Sequence, residues 1–192
     1  MEGLVIWLLL GVILWSAVHF VPSLGPALKT RLIGKFGRKS YRILFALLVA
    51  TSILLMIFGW RSTDPLFLYA LGSWTSPVTT LLVLCAFILM GATNYPTRIK
   101  RFIRHPQLSG LAVWSVAHLI SNGDSRSLIL FGGLGLWALA EIFLISAREG
   151  AWVKPEAPSL VVEFRGLAIS FVIFFAAMAL HPWFAGVPVI AR

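Results

Sequence analysis

Six apolar runs, each with at most one charged residue, constrain this chain more than any other feature of its sequence. A run of about 20 residues, with a range of 17 to 25, is needed for a helix to cross a bilayer. Since 59% of the 192 residues are hydrophobic and only 12% are charged, one small globule cannot bury this much apolar surface, and lipid must act as solvent. The runs lie at about residues 3–22, 41–60, 77–93, 107–121, 127–147 and 166–184.

These runs predict an all-α polytopic membrane protein, a single domain of residues 1–192 built as a bundle of six transmembrane helices. The fourth run is the shortest, so we expect its helix to borrow a turn from its flanks. The first run follows only Glu2, has no basic n-region and exceeds the 7 to 15 apolar residues of a signal peptide, which favours a spanning helix. Cys85 is the single cysteine, so it cannot form a disulfide within one chain and is expected to pack in the core.

A basic, amphipathic segment, ALKTRLIGKFGRKSYR, follows the first run at residues 27–42. Its apolar members recur at helical spacing between lysines and arginines, which predicts a short helix lying in the membrane interface. These apolar residues are Leu28, Leu32, Ile33 and Phe36. Nucleic-acid binding is the competing interpretation of such a basic run. Because spanning helices flank it, membrane lipid is the expected partner, and nucleic acid is not.

Lysine and arginine are concentrated in three of the five connections, which hold 13 of the 16 basic residues. These connections join runs one and two, three and four, and five and six. The other side carries only Arg61, Arg126 and Arg192. Because cytoplasmic loops are enriched in basic residues, the count predicts that the three basic connections are cytoplasmic and that both termini lie outside.

Polar residues inside or beside the runs are the candidate functional groups. His19 falls in the cytoplasmic half of the first run, and His118 falls about 16 Å along the fourth from a start near Gln107. Arg104 and His105 precede Pro106 at the cytoplasmic surface, where proline suits a first helical turn. His181 lies near the outer end of the sixth run. Glu141 lies inside the fifth, where a helix–helix hydrogen bond and a functional role are equally open interpretations.

His19 and His118 support two interpretations. A membrane histidine is more often a hydrogen-bonded packing residue than a ligand. However, neutral imidazole is a common axial ligand of haem, and a helical bundle can hold one macrocycle between facing side chains. Trp114 and Ser115, four and three residues before His118, border the same helix face. Trp114 could therefore form a wall for a porphyrin, with simple packing as its alternative.

Two stretches together, VHFVPSLGPALKTRLIGKFGRKSYRILFALL and RHPQLSGLAVWSVAHLISNGD, resemble the NnrU family, named for its association with nitrite and nitric oxide reduction in denitrifying bacteria. They are similar also to the 15-cis-ζ-carotene isomerases of plants and cyanobacteria, which share that domain. The resemblance covers about residues 12–146. It implies a multi-pass protein of the bacterial inner membrane that serves nitrogen-oxide or redox metabolism, or that isomerises a hydrophobic small molecule.

The resemblance also implies a haem b site with His19 and His118 as axial ligands. Trp114, Ser115, Arg104 and His105 complete the candidate cofactor-binding residues. The isomerase motif has a cysteine, proposed as an alternate ligand, where this chain has Ser115, and this departure argues against ligand switching. The tail after Ala147 departs as well, since it lacks a recognisable version of the family's longer basic connection.

Depth is the main constraint on this pair of ligands. Both imidazole nitrogens must approach one iron to about 2 Å from opposite faces. If the first helix stops at Val21, His19 and His118 are offset by about 10 Å along the membrane normal. Pairing therefore predicts that the first helix continues past Pro22 towards Ser23 or Leu24, or that the fourth starts deeper.

A rival interpretation comes from the RHPxxxG pattern of Arg104, His105, Pro106 and Gly110. It resembles the isoprenylcysteine and phospholipid methyltransferases, in which this pattern helps to bind S-adenosylmethionine at the cytoplasmic face. Those enzymes add a paired-glutamate motif, for which the nearest candidate here is the single Glu149. A shared scaffold alone does not imply a shared activity. A third interpretation is an accessory membrane protein without a cofactor, in which the RHP sequence anchors a helix to lipid phosphate.

Overall fold

The computed structural model describes residues 5–186, which form six long helices joined by irregular connections. The helices are α1 (Val5–Leu24), α2 (Pro26–Ser62), α3 (Thr75–Ala92), α4 (Pro106–Ser121), α5 (Ser125–Glu149) and α6 (Leu160–Ala185). Within the described residues β-structure is limited to one isolated bridge, between Phe67 and Asp124. The predicted all-α bundle is confirmed. Glu2 and Arg192, which entered the sequence argument, lie outside the described residues.

Five of the six helices are long and apolar enough to cross a membrane: α1, α2, α3, α5 and α6. The fourth helix has 16 residues and is about 24 Å long, which is shorter than a hydrocarbon core of about 30 Å. It packs against α3 and α5. As predicted, the fourth apolar run forms the shortest of the six helices. The turn that it was expected to borrow from its flanks is absent, because the helix adds only Pro106 to the run 107–121. Apolar side chains such as Leu54, Leu136 and Val172 remain exposed on the outer surface, as expected for a bundle solvated by lipid. Cys85 is exposed as well, so the expectation that it packs in the core is wrong.

The first helix continues through Pro22 and ends at Leu24. Proline has no N–H to donate to the carbonyl four residues earlier, but the chain stays helical because neighbouring groups hold this turn. The Pro22 carbonyl accepts a hydrogen bond from Arg148 Nη1 at 2.9 Å, and Gly25 N–H donates to the Val21 carbonyl at 3.0 Å. The predicted extension of α1 past Pro22 is confirmed.

Gly37 divides α2 into two helical segments. Its φ of 81° and ψ of 155° lie outside the helical region, in a left-handed conformation that glycine adopts at little cost. Residues 26–36 form the first segment, which contains most of the amphipathic run, and residues 38–62 form the longer, apolar segment. Leu28 and Phe36 on the first segment are half exposed. This exposed apolar face suits a helix that rests on lipid.

Hydrogen bonds bring the three basic connections together at one end of the bundle, which we call the basic end. The bond from Arg148 to the Pro22 carbonyl joins the end of α5 to the end of α1. Arg104 forms an ion pair with Glu149 at 3.2 Å, which joins the start of α4 to the end of α5. Thr97 donates a hydrogen bond to Glu163, so the start of α6 meets the connection that follows α3.

The other two connections meet at the opposite end of the bundle. Arg126 Nη1 donates to the carbonyl oxygens of Trp60 at 2.9 Å and Thr63 at 3.1 Å. The backbone N–H of Leu68 donates to the Gly123 carbonyl at 2.8 Å. The chain therefore passes back and forth between two distinct ends, and α1 and α4 run in opposite directions.

Candidate functional site

Two pentapeptides of nearly the same sequence carry the two membrane histidines. Residues 15–19 of α1 read WSAVH, and residues 114–118 of α4 read WSVAH. Because side chains four residues apart share a helix face, each tryptophan lies next to its histidine. The ring centroids are 4.3 Å apart for Trp15 and His19, and 4.6 Å apart for Trp114 and His118. The structure thus contains the same local arrangement twice, on antiparallel helices.

Backbone hydrogen bonds define the tautomer of both histidines. Nδ1 of His19 lies 2.8 Å from the Trp15 carbonyl oxygen, and Nδ1 of His118 lies 2.9 Å from that of Trp114. A carbonyl oxygen can only accept, so Nδ1 carries the proton in each neutral ring and the lone pair is on Nε2. Among the described residues, no hydrogen bond to either Nε2 is present. A backbone carbonyl on one ring nitrogen is a common way to orient the other nitrogen for metal binding.

His19 lies in an aromatic cluster between α1, α2 and α5. Trp137 and Phe45 approach its ring edge-on, with centroid distances of 5.1 Å and 5.3 Å. The Trp15 and Trp137 rings are themselves in edge contact at 5.7 Å. We call His19, Trp15, Phe45, Trp137 and Glu141 the His19 cluster.

The His19 cluster contains buried polar atoms that lack hydrogen-bond partners within the described chain. They are Nε1 of Trp15, Nε1 of Trp137 and Oε1 of Glu141. Glu141 is only 2% exposed, and its other carboxylate oxygen accepts from Ser23 of α1. The helix–helix hydrogen bond considered for Glu141 is therefore present. An unsatisfied buried polar group costs about 1 to 3 kcal/mol, so the three remaining atoms are places where a water molecule or a polar ligand group would stabilise the cluster.

His118 lies against the aromatic side chain of Phe131 from α5. The two rings are stacked with centroids 4.5 Å apart, and Trp114 meets Phe131 edge-on at 4.8 Å. Phe131 belongs to a π-helical stretch of α5, Leu128–Gly132, and such stretches often occur at functional sites.

Ser115 is buried at the contact between α4 and α5. It is 1% exposed and its hydroxyl has no hydrogen-bond partner among the described residues. A Cβ atom placed on Gly135 would lie 2.9 Å from the Ser115 Cβ, so the two helices touch closely here. Ser115 therefore faces α5, whereas Trp114 contacts the His118 ring.

The two histidines differ in depth, and the direction of their helices explains why. His19 contacts Trp137 and His118 contacts Phe131, six residues apart on α5 or about 9 Å along its axis. In each pentapeptide the histidine follows the tryptophan, so on antiparallel helices the histidines are displaced towards opposite ends. The extension of α1 past Pro22 does not remove this offset.

Haem suits these donors better than a bare metal ion does. No group of three or more His, Cys, Asp or Glu side chains that could hold a metal ion occurs in the described part of the chain. Haem needs only one or two protein ligands, because the porphyrin supplies the other four nitrogens. Each Nε2 lone pair therefore fits a haem iron, and the buried polar atoms of the His19 cluster fit a ligand with polar groups.

Arg104 and His105 belong to a separate group at the basic end. Arg104 donates to the Gly150 carbonyl at 2.7 Å and pairs with Glu149, while His105 Nε2 is 2.9 Å from the Ser146 hydroxyl. Burial lowers the pKa of His105, and the nearby Arg104 guanidinium lowers it further. These contacts tie the start of α4 to the end of α5. The thirteen residues between His105 and His118 correspond to about 20 Å, so the structure does not bring this group to His118. On the His19 side, His105 contacts Ser146 and His19 contacts Trp137, which lie about 14 Å apart along α5.

A family model described as NnrU protein matches residues 7–189. The chain belongs to the NnrU family. The match extends beyond the residues 12–146 that carried the resemblance in sequence, and it includes all of α6. No curated protein and no solved structure matches the chain.

Several aromatic residues of the site in this NnrU-family protein were not predicted from the sequence. They are Trp15, Phe45, Phe131 and Trp137. The repeated WSxxH pattern is a signal that could have identified Trp15 as the counterpart of Trp114. The other three lie on helices other than those of the histidines they contact, so only the packing reveals them.

Proposed function

We propose that this NnrU-family protein binds haem b within the membrane, with His19 and His118 as iron ligands. The observation that carries the proposal is the shared state of the two imidazoles. Each donates Nδ1–H to the carbonyl four residues earlier and keeps an Nε2 lone pair without a hydrogen bond from a described residue. When bound, haem supplies one-electron redox chemistry whose potential depends on its ligands and surroundings.

The protein's own residues orient the ligands and shape the surroundings. Trp15 stacks on the His19 ring and Trp114 lies tilted against the His118 ring, so both indoles limit the rotation of the histidines. The buried indole N–H groups of Trp15 and Trp137 can donate to polar groups of the cofactor, while Phe131 keeps the His118 side apolar. A low-polarity setting of this kind changes the potential of a bound iron.

A role in redox or nitrogen-oxide metabolism is the physiological setting that we infer. Membership of the NnrU family supports it, as does a pair of imidazoles suited to electron transfer. We place the protein in the bacterial inner membrane with its basic end in the cytoplasm and both termini in the periplasm. The meeting of all three basic connections at one end supports this orientation.

A hydrophobic small molecule could bind beside His118. A cavity of about 360 Å³ lies between α3, α4 and α5, and its walls are almost wholly apolar. Ser115 and Phe131 both line it, and Phe131 also stacks on His118. An isomerase-like activity on a molecule such as a carotene would use this cavity. The absence of the isomerase cysteine at Ser115 ranks that activity below a redox role.

The methyltransferase interpretation is favoured by one observation, which is that Arg104, His105 and Glu149 do lie together. However, the Arg104 guanidinium is already engaged by Glu149 and by the Gly150 carbonyl. A second acid, as in the paired-glutamate motif, does not take part in these contacts. Haem binding therefore remains the better supported function.

Absorption spectra and haem content of the purified protein test the proposal. If both histidines bind one iron, the oxidised and dithionite-reduced protein should show a low-spin b-type spectrum, because two imidazoles are strong axial ligands. His19→Ala and His118→Ala should each lose haem or convert it to a high-spin form. His181→Ala, the control on α6, should keep the parent spectrum.

The haem-to-protein ratio shows whether the two histidines bind one haem iron or two. If both histidines bind one iron, the parent protein holds one haem and each alanine variant changes its spin state. If each histidine binds its own haem, the parent holds two, and each variant loses half. Normal haem content and spectra in both single variants would refute the assignment of His19 and His118.

A further inference from the structure

A second cavity, of about 770 Å³, opens between α3 and α6 and is separate from both histidines. Its deeper wall is apolar and is formed by Phe87, Met90, Ile169 and Ile173. Its mouth at the basic end is polar and is formed by Asn94, Tyr95, Gln107 and Arg165. From Arg165 to Ile173 the cavity extends about 12 Å along α6. The cavity is therefore polar near the membrane surface and apolar towards the bilayer interior, as a lipid is polar at its head group and apolar along its acyl chains.

Contacts of Gly166 and Glu163 hold the two walls of this cavity together. The Tyr95 ring lies so close to Gly166 that any side chain at position 166 would collide with it. Thr97 donates a hydrogen bond to one carboxylate oxygen of Glu163, and the Arg98 backbone N–H donates to the other at 2.9 Å. The start of α6 is thus held against the connection that follows α3, with the cavity just behind it.

The mouth of the cavity carries a positively charged side chain that forms no ion pair with a described residue. Arg165 is the only charged residue among those that line it. Glu163, two positions away, directs its carboxylate oxygens to Thr97 and to the Arg98 backbone N–H instead of to Arg165. The Tyr95 hydroxyl is buried and interacts with Ser170. The Arg165 guanidinium is therefore the donor at the mouth that is available to an anionic, oxygen-rich group.

We infer that this cavity binds an anionic phospholipid from the leaflet at the basic end. Arg165 holds the phosphate, because a guanidinium presents several donors that match phosphate oxygens. The acyl chains start against Met90 and Ile169 and leave past Ile173 into the bilayer. The volume lies within the roughly 300 to 1,000 Å³ of specific ligand sites. The inference is independent of haem binding.

Native mass spectrometry of the detergent-purified, full-length protein tests the head-group part of the inference. Phosphatidylglycerol is the probe, and zwitterionic phosphatidylcholine is the comparison lipid. Arg165→Gln should weaken phosphatidylglycerol binding by about tenfold or more, because it removes the charged donors that hold the phosphate. Arg98→Gln is the matched control, because Arg98 is exposed at the same end but does not line the cavity. It should keep the parent affinity.

Two tryptophan substitutions test whether the acyl chains of the lipid occupy the deep end of the cavity. Ile173→Trp fills the deep end of the cavity and should weaken phosphatidylglycerol binding. Val172→Trp, the matched control, adds the same bulk at a neighbouring position that is 68% exposed and lies outside the cavity wall. A thermal melt of each variant confirms folding before binding is compared.

Soluble anions distinguish a lipid site from a phosphate site. Inorganic phosphate and glycerol phosphate at millimolar concentration should not displace phosphatidylglycerol, because they lack acyl chains. Displacement by either would overturn the inference in favour of a soluble anion. Equal binding of phosphatidylcholine, or equal losses in Arg165→Gln and Arg98→Gln, would overturn it as well.

Discussion

For His19 and His118, the helical turn that contains each residue determines which ring nitrogen carries the proton. In both cases the proton on Nδ1 is held by a carbonyl four residues earlier, so the tautomer follows from local geometry. The sequence identified both histidines as candidate ligands because ionisable side chains are rare in apolar runs. It could not show that Nε2 is the nitrogen left available, because that depends on the rotamer of each ring.

His105 permits a prediction about pH. Burial and the Arg104 guanidinium lower its pKa below the ordinary value of 6.5, so the folded state holds this ring neutral where the unfolded chain would protonate it. Its contribution to stability is therefore complete above pH 6.5 and is lost as the pH falls towards the folded pKa. NMR of protein labelled at histidine Cε1 should give a midpoint below 6.5 for the signal that His105→Gln removes.

Thermal melts give the matching stability measurement. Between pH 8 and pH 5 the parent protein should lose more stability on acidification than His105→Gln does. A His105 midpoint above 6.5, or a steeper pH dependence in the variant, would contradict the assigned environment.

Elements were predictable where a helix coincides with an apolar run. The third run, residues 77–93, corresponds to α3 at Thr75–Ala92 because hydropathy alone defines that span. The sixth run begins at residue 166, whereas α6 begins at Leu160. This difference arises because Glu163 docks on Thr97 and the Arg98 backbone, which are tertiary contacts. The π-helical stretch of α5 likewise depends on packing and has no local sequence signal.

The contact between α4 and α5 permits a prediction at the level of elements. In Gly135→Ala the new Cβ would lie 2.9 Å from the Ser115 Cβ, closer than carbon atoms approach. The helices must separate, at a cost of about 1 to 3 kcal/mol. The melting temperature in detergent should fall, and the haem content should fall with it if the cofactor depends on this packing.

A second substitution separates this clash from a general loss of helix flexibility. Ser115→Gly removes both Ser115 atoms that the new Cβ would meet, so the double variant Ser115→Gly/Gly135→Ala should recover part of the stability lost by Gly135→Ala. Such non-additivity is expected for residues in direct contact. Strictly additive losses would show that α4 and α5 do not touch at this pair.

At the scale of the whole molecule, the arrangement of charge was predictable but the register of the helices was not. The three basic connections were expected on one side, and bonds such as Arg148 to Pro22 and Arg104 to Glu149 bring them to one end. The offset between His19 and His118, about 9 Å by the spacing of their contacts on α5, depends on the axial positions of α1 and α4 relative to α5. Apolar runs do not specify these axial positions, because an apolar side chain that faces lipid has about the same solvation free energy at several depths.

The orientation of the bundle gives the final prediction. Thirteen of sixteen lysines and arginines lie in connections that meet at the basic end, and cytoplasmic loops attract such residues. Reporter fusions after Arg38 and after Arg101 should therefore be cytoplasmic. Fusions near Ser62 and at Arg192 should report the periplasm. Because the contacts at the basic end join the first two sites in one compartment, opposite signals from Arg38 and Arg101 would contradict the fold itself. Matching periplasmic signals from that pair would instead leave the fold intact and reverse the orientation, which would place the lipid cavity at Arg165 in the outer leaflet.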